Sequence, residues 1–267
     1  MFMIDFLFAL PLWAAAIVLA AFFMAFAMTA LWGMRRWVLP RLHLDAQHTF
    51  YTSTMVQFAM LLYGLVAAMT AVSVWQRYAQ VSDIVSAEAT AIVSLWRDLG
   101  GYPAPLRDAT RETLRGYTLQ IIEEAWPQQQ QGITPREGVA WVDKLQAQIY
   151  VVEPATEGQR IMHAEVLDAF NHLSLQRRAR VDAVHGGLPG VFWLVLIPGA
   201  MFCIVLCMLF DVSNLRLQVI LLLGASLSLS MVVFIIVSLD RPFIGDAAIS
   251  ADSYRLVYEH HMKPAGN

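Results

Sequence analysis

Glu88 sits among Ile84, Val85, Ala91, Ile92, Leu95, Trp96 and Leu99, which recur at intervals of three and four, so a carboxylate lies on the apolar stripe of a helix. A carboxylate buried there needs a partner, because an uncompensated charge away from water is costly. Counting from Trp75, Glu88 lies about 13 residues and hence ~20 Å along its helix. The same distance back from Leu188 reaches residue 175, beside Arg177 and Arg178, for two helices running antiparallel. Glu88, Arg177 and Arg178 are therefore expected to form a structural ion pair or network. The alternative is that Arg177, Arg178 and Arg180 line an anion vestibule, where charges of one sign focus the field.

A second group is Asp240, Arg241, Pro242, Phe243, Gly245 and Asp246, directly after an apolar run. Proline removes a donor and fixes φ, glycine permits the turn that follows, and Asp240 with Arg241 is expected to anchor the helix exit. His43, Asp45 and His48 are of metal-ligand type, but their spacing in a polar loop matches no metal site and none is assigned. Cys203 and Cys207, four apart in an apolar segment, read as packing residues, since a disulfide at that helical spacing has poor geometry. Pro198-Gly199 should kink its helix, and Gly224, Ser226, Ser228 and Ser230 let neighbouring helices approach. No nucleophile, base or carboxylate constellation suggests group transfer, so neither an enzyme nor a cofactor is expected.

The elements that must carry these residues follow from composition. The chain is 58% hydrophobic and 15% charged, with a mean hydropathy of +0.53, too apolar for an ordinary soluble domain. Four stretches are long enough to cross a bilayer: Phe6–Trp32, Thr54–Trp75, Leu188–Phe210 and Leu217–Leu239. The net charge of −3 and the absence of a basic run exclude a strongly basic nucleic-acid binder. Between spans two and three, residues 76–187 show helical periodicity throughout, so the fold is all-α, with a helical aqueous insert and a short tail from 241. The second span is expected to continue as one helix to Leu99 and to end at Gly100-Gly101. Further helices are expected from about Pro105 to Trp126, then from a capping box at Thr134-Pro135-Arg136-Glu137, then from about Ala155 to Val184, with Gln128–Gln131 a polar loop. Arg77, Arg177, Arg178, Arg180, Arg241 and Arg255 flank the membrane on the insert side against Arg35, Arg36, Arg41 and Arg216 on the other, which favours a cytoplasmic insert.

Leu61-Leu62-Tyr63-Gly64-Leu65-Val66, followed by Ser73-Val74-Trp75-Gln76-Arg77-Tyr78, resembles the second helix of the bestrophins, and the Pro-Phe-x-Gly-Asp ending adds to the likeness. The Trp75–Tyr78 exit and the Leu239–Gly245 ending look like the prokaryotic bestrophin-like membrane family of unknown function. The resemblance implies a homo-oligomer, a pentamer if it follows bestrophins, in the bacterial inner membrane among its lipids, passing chloride or another small anion. It also implies that Gln57, Leu61 and Leu65 line the neck of the pore. Their i, i+4, i+8 spacing puts them on one helix face, where leucine rings can gate by dewetting and a glutamine ring can offer amide groups to an ion. The acidic run of the bestrophin calcium clasp is reduced here to Asp246, so calcium control is not expected. The rival reading is a non-conducting scaffold or receptor whose insert binds a partner.

Overall fold

A computed structural model describes residues 7–8, 10–38, 46–209 and 214–263, with the side chains of 46–52 left aside; Phe6, Phe210 and the His43, Asp45, His48 trio fall outside that description. Among the described residues the regular elements are helical: α1 (Leu12–Gly33), α2 (Ala46–Asp98), α3 (Ala104–Gln120), α4 (Trp126–Gln130), α5 (Gly138–Tyr150), α6 (Glu157–Ala183), α7 (Gly190–Cys207), α8 (Leu215–Asp240) and α9 (Asp252–Val257). Helices α1, α2, α7 and α8 are long and apolar enough to cross a membrane.

Local chemistry moves the ends. Among the described residues the first span begins at Leu12, where extended Pro11 (φ −59°, ψ 147°) is the cap and disfavours helix in the residue before it. Pro189 does the same for α7, and Asn214 Oδ1 starts α8 by accepting from the N–H groups of Arg216 (3.0 Å) and Leu217 (3.4 Å). The expected capping box at Thr134 does not start a helix: α5 begins at Gly138 without a side-chain cap, and the Thr134 hydroxyl instead meets His185 Nε2 at 2.5 Å. The capping box lies at Thr156, whose hydroxyl accepts from Gln159 N–H while Gln159 Oε1 accepts from Thr156 N–H. Pro127 does not end its helix either. A π turn over Ile121–Ala125 precedes it, and Pro127 occupies the first turn of α4, where its missing N–H has no intrahelical role.

The chain divides into two compact units. One comprises residues 1–77, 187–240 and 245–247. Its core is a straight stripe of α1, Ala15, Leu19, Phe23, Ala27 and Leu31, packed with Ala200 and Ile204 of α7 and Leu222, Val233 and Val237 of α8. The α2 residues Ala67 and Val74 pack with Leu196 and Ile236, and the Tyr63 hydroxyl donates to Leu196 O at 3.0 Å. Pro198 lies inside α7, as its position in the span suggests. Gly199 beside it is needed for close approach, since a Cβ there would stand 2.8 Å from the Tyr63 ring.

The other unit comprises residues 78–186, 241–244 and 248–267, so the tail from 241, expected as a segment apart, belongs largely to the helical insert. Val81, Val85, Ile92, Leu95 and Leu99 of α2 pack with Leu114 and Tyr117 of α3, Leu145 and Ile149 of α5, and Val166, Phe170 and Leu173 of α6. Helices α2 and α6 run antiparallel: Glu88 meets Arg180, and Tyr102, just past the end of α2, meets His163.

Candidate functional site

Glu88 is 0% exposed and stands at the centre of the insert's core. Arg180 donates from Nε to Glu88 Oε2 at 2.5 Å and from Nη2 to Oε1 at 3.2 Å. The Tyr117 hydroxyl donates to Oε1 at 2.6 Å and the Tyr254 hydroxyl to Oε2 at 2.9 Å. One carboxylate thereby joins α2, α3, α6 and α9. Burial first, and then the Glu88 carboxylate, pushes the hydroxyls of Tyr117 and Tyr254 well above the usual tyrosine range, which keeps them as donors. Burial opposes the charge of Arg180, which is 2% exposed, but Glu88 more than offsets this and raises its pKa above the ordinary value.

The arginine differs from the expected Arg177 and Arg178. The count back from Leu188 assumes helical rise throughout, whereas residues 186–189 are not helical. Extended chain gains ~3.3 Å per residue against ~1.5 Å in a helix, so the facing residue lies later in sequence than the count suggests. Arg177 is half-buried and Arg178 exposed.

Gln129 is a second departure. The sequence pattern puts it in a polar loop, yet it is fully buried in α4 with both amide atoms lacking a hydrogen-bond partner. The Trp126 indole N–H is likewise without a partner, its ring lying 5.6 Å from that of Tyr254. Nothing in the local pattern around Gln128–Gln131 signals this burial, and the contribution of Tyr254 from the tail has no sequence signal either.

The helix exit after α8 spreads its residues over both units. In the first, buried Asp240 accepts from Leu188 N–H at 2.6 Å, while Arg77 donates to Gly187 O at 3.0 Å. Gly245 has φ +89°, a left-handed conformation that other residues resist, and Asp246 beyond it accepts from Leu12 N–H at 3.1 Å. Asp246 thus satisfies a free N–H at the start of α1 and complements its dipole. In the second unit Arg241 O accepts from Ile244 N–H (3.1 Å), Pro242 O accepts from Ile249 N–H (2.8 Å), and buried Phe243 meets Trp126 edge-on at 5.6 Å.

Gln57, Leu61 and Leu65 lie on α2 within the first unit, where Leu61 is 71% and Leu65 58% exposed and Gln57 is also exposed. Val56, Ala67 and Val74 of the same helix are buried. The chain therefore packs one side of α2 and leaves the side bearing these three residues bare, and Gly64 has no neighbour within 4 Å of its Cβ position.

Comparison with protein families matches residues 11–254 to the family described as Bestrophin-like domain. No curated protein matches the sequence. Among solved structures, a bacterial bestrophin homolog from Klebsiella pneumoniae is similar, with TM-score 0.69 and 12% identity over 91% of this chain and 97% of that one. A variant of that homolog with one isoleucine replaced by threonine gives TM-score 0.72 at 10% identity, covering 93% and 99%. A structure described as a membrane protein with one proline replaced by alanine gives 0.70 at 10%, covering 93% and 99%. At these identities the likeness is one of fold: an all-α, multi-pass membrane protein.

Proposed function

The chain belongs to the bestrophin-like family, and on that footing we propose that it is a passive anion channel, a homo-oligomer whose copies of α2 surround a chloride-conducting axis. The observation that carries this reading is the bare face of α2. Leu61 and Leu65 are largely exposed while the opposite side of the helix is packed, and Gln57 shares their stripe. A glutamine amide facing hydrocarbon is costly, whereas a ring of such amides around a wet axis finds ions and water. Five copies stack Gln57, Leu61 and Leu65 as three rings of a neck, with the leucines closing it by dewetting. The protein sits in the bacterial inner membrane with its insert in the cytoplasm, catalyses no reaction and needs no calcium. Asp246, the remnant of the acidic run, is engaged with the start of α1 instead.

Native mass spectrometry in mild detergent tests the assembly. A single closed oligomer, a pentamer, is expected; a monomer, or a dimer with no central opening, leaves the three residues without an axis and favours a scaffold. Gln57→Leu in the assembled protein should shift ion preference if its ring touches the permeating ion.

A further inference from the structure

Residues 78–98 of α2 belong to the second unit, and their exposed positions are Gln80, Asp83, Ser86, Thr90, Ser94 and Arg97; every other residue in that stretch is buried or half-buried. The six recur at intervals of three and four, so this part of the helix is covered on all sides but one stripe. The stripe keeps the phase of the neck. Helix α2 is unbroken over Ala46–Asp98, and Asp83 falls about five turns of ~3.6 residues, roughly 27 Å, beyond Leu65 on the same side. The face that leaves Leu61 and Leu65 bare therefore continues past the apolar run as a polar one.

Its composition sets it apart from a helix face that meets bulk water. The exposed positions of α6 include Glu157, Arg160, Glu165, Asp168, Arg178 and Asp182, charges of both signs in close succession. On the α2 stripe Ser86, Thr90 and Ser94 are small and neutral, and the Thr90 hydroxyl donates back to Ser86 O at 2.9 Å. Short side chains of that kind leave room around an axis and give water and ions neutral partners. The charges on the stripe are Asp83 and Arg97. Asp83 forms no ion pair among the described residues. Arg97 lies ~21 Å further along the helix, beyond the ~10 Å reach of a charge in ~0.1 M salt, so it does not neutralise Asp83.

We propose that Asp83 is a specificity-determining residue of the conduction path: its carboxylates, one from each copy, ring the aqueous continuation of the axis, where they repel chloride and hold cations. This rests on the channel reading. Unpaired carboxylates around one axis add their potentials, and a narrow path with low-dielectric walls focuses them. The ring keeps chloride below its bulk level there, so wild-type flux is slower and less selective for anions than the neck alone would make it.

The test uses the full chain in liposomes. Initial chloride efflux and the chloride-over-sodium permeability ratio are measured for wild type, Asp83→Asn, Asp83→Lys and, as a control for net charge, Asp143→Asn at an exposed position of α5. Asp83 is exposed and unpaired, so its variants should fold as wild type does. At ~0.1 M salt Asp83→Asn should raise both quantities at least about threefold and Asp83→Lys further, while Asp143→Asn leaves them unchanged. At ~1 M salt, where a charge reaches only ~3 Å, variant and wild type should converge, which a mere loosening of the helix would not bring about. Wild-type flux that both Asp83 variants leave unaltered, that Asp143→Asn raises as much, or a rise that persists at ~1 M salt overturns this proposal and leaves the channel reading standing. Absence of flux from wild type and from Leu61→Ala and Leu65→Ala overturns both.

Discussion

At the scale of single residues, the Glu88 cluster decides how the insert holds together. Two tyrosines and a guanidinium satisfy one carboxylate, so removing Arg180 leaves a buried charge with only hydroxyl donors. Arg180→Leu should cost ~3–5 kcal/mol, the usual penalty for one-sided loss of a buried pair. Adding Glu88→Leu should recover part of it, because the stranded charge is gone, whereas Arg178→Leu on the exposed side should change stability by under ~0.5 kcal/mol. Denaturation in detergent of wild type, Arg180→Leu, Glu88→Leu and the double variant completes a double-mutant cycle; strictly additive losses would show that the pair does not act as a unit. The pH dependence follows from the same residues and from Tyr102, whose buried hydroxyl is raised to about 12 from an ordinary 10.0. A tyrosine raised in the folded state is protonated in both states below about 10, and above that the unfolded chain loses its proton first. Stability is therefore fully present below pH ~10 and falls as pH rises past it. Melting curves between pH ~8 and ~11.5 should be flat and then decline, and Tyr102→Phe should make the decline shallower.

At the scale of elements, helix starts separate what local chemistry says from what packing imposes. Thr134-Pro135-Arg136-Glu137 and Thr156-Glu157-Gly158-Gln159 both carry a threonine followed three residues later by an acid or amide, yet only the second is a cap. Thr156→Ala should cost ~1 kcal/mol, the typical worth of an N-cap, and Thr134→Ala about half or less, as its hydroxyl meets only a surface histidine. Hydrogen exchange at residues 157–160 would report the difference; equal effects would mean that neither threonine caps a helix. The long elements are legible in the sequence because their signals accumulate over many residues. Uninterrupted hydropathy marks the spans, and the three-and-four recurrence through Leu99 marks the helix from Thr54 as continuing without a break; α2 is one helix of 53 residues, Ala46–Asp98, which starts before the apolar run and so before any signal of that kind. Choices that turn on one residue are not legible. Arg177, Arg178 and Arg180 share one short stretch, and which of them faces Glu88 depends on helix phase and on the steeper rise of residues 186–189. Gln129 is drawn inside because the π turn over Ile121–Ala125 lets the chain pass Pro127 and stay helical, and no residue type announces that turn.

At the scale of the whole molecule, the end of α8 and the segment after it supply both units: Asp240 and Asp246 tie backbone N–H groups of the first, and Phe243 and Tyr254 enter the core of the second. The bare face of α2 is what a single chain leaves unexplained, and the channel reading gives it a use. Chloride efflux from liposomes holding the purified protein is the measurement that tests this most directly, compared among wild type, Leu61→Ala and Leu65→Ala. The account predicts chloride flux in wild type, faster flux in both variants because a wider, wetter neck conducts more readily, and little response to calcium. Flux absent from all three proteins, or present and unaltered by both leucine substitutions, would contradict it.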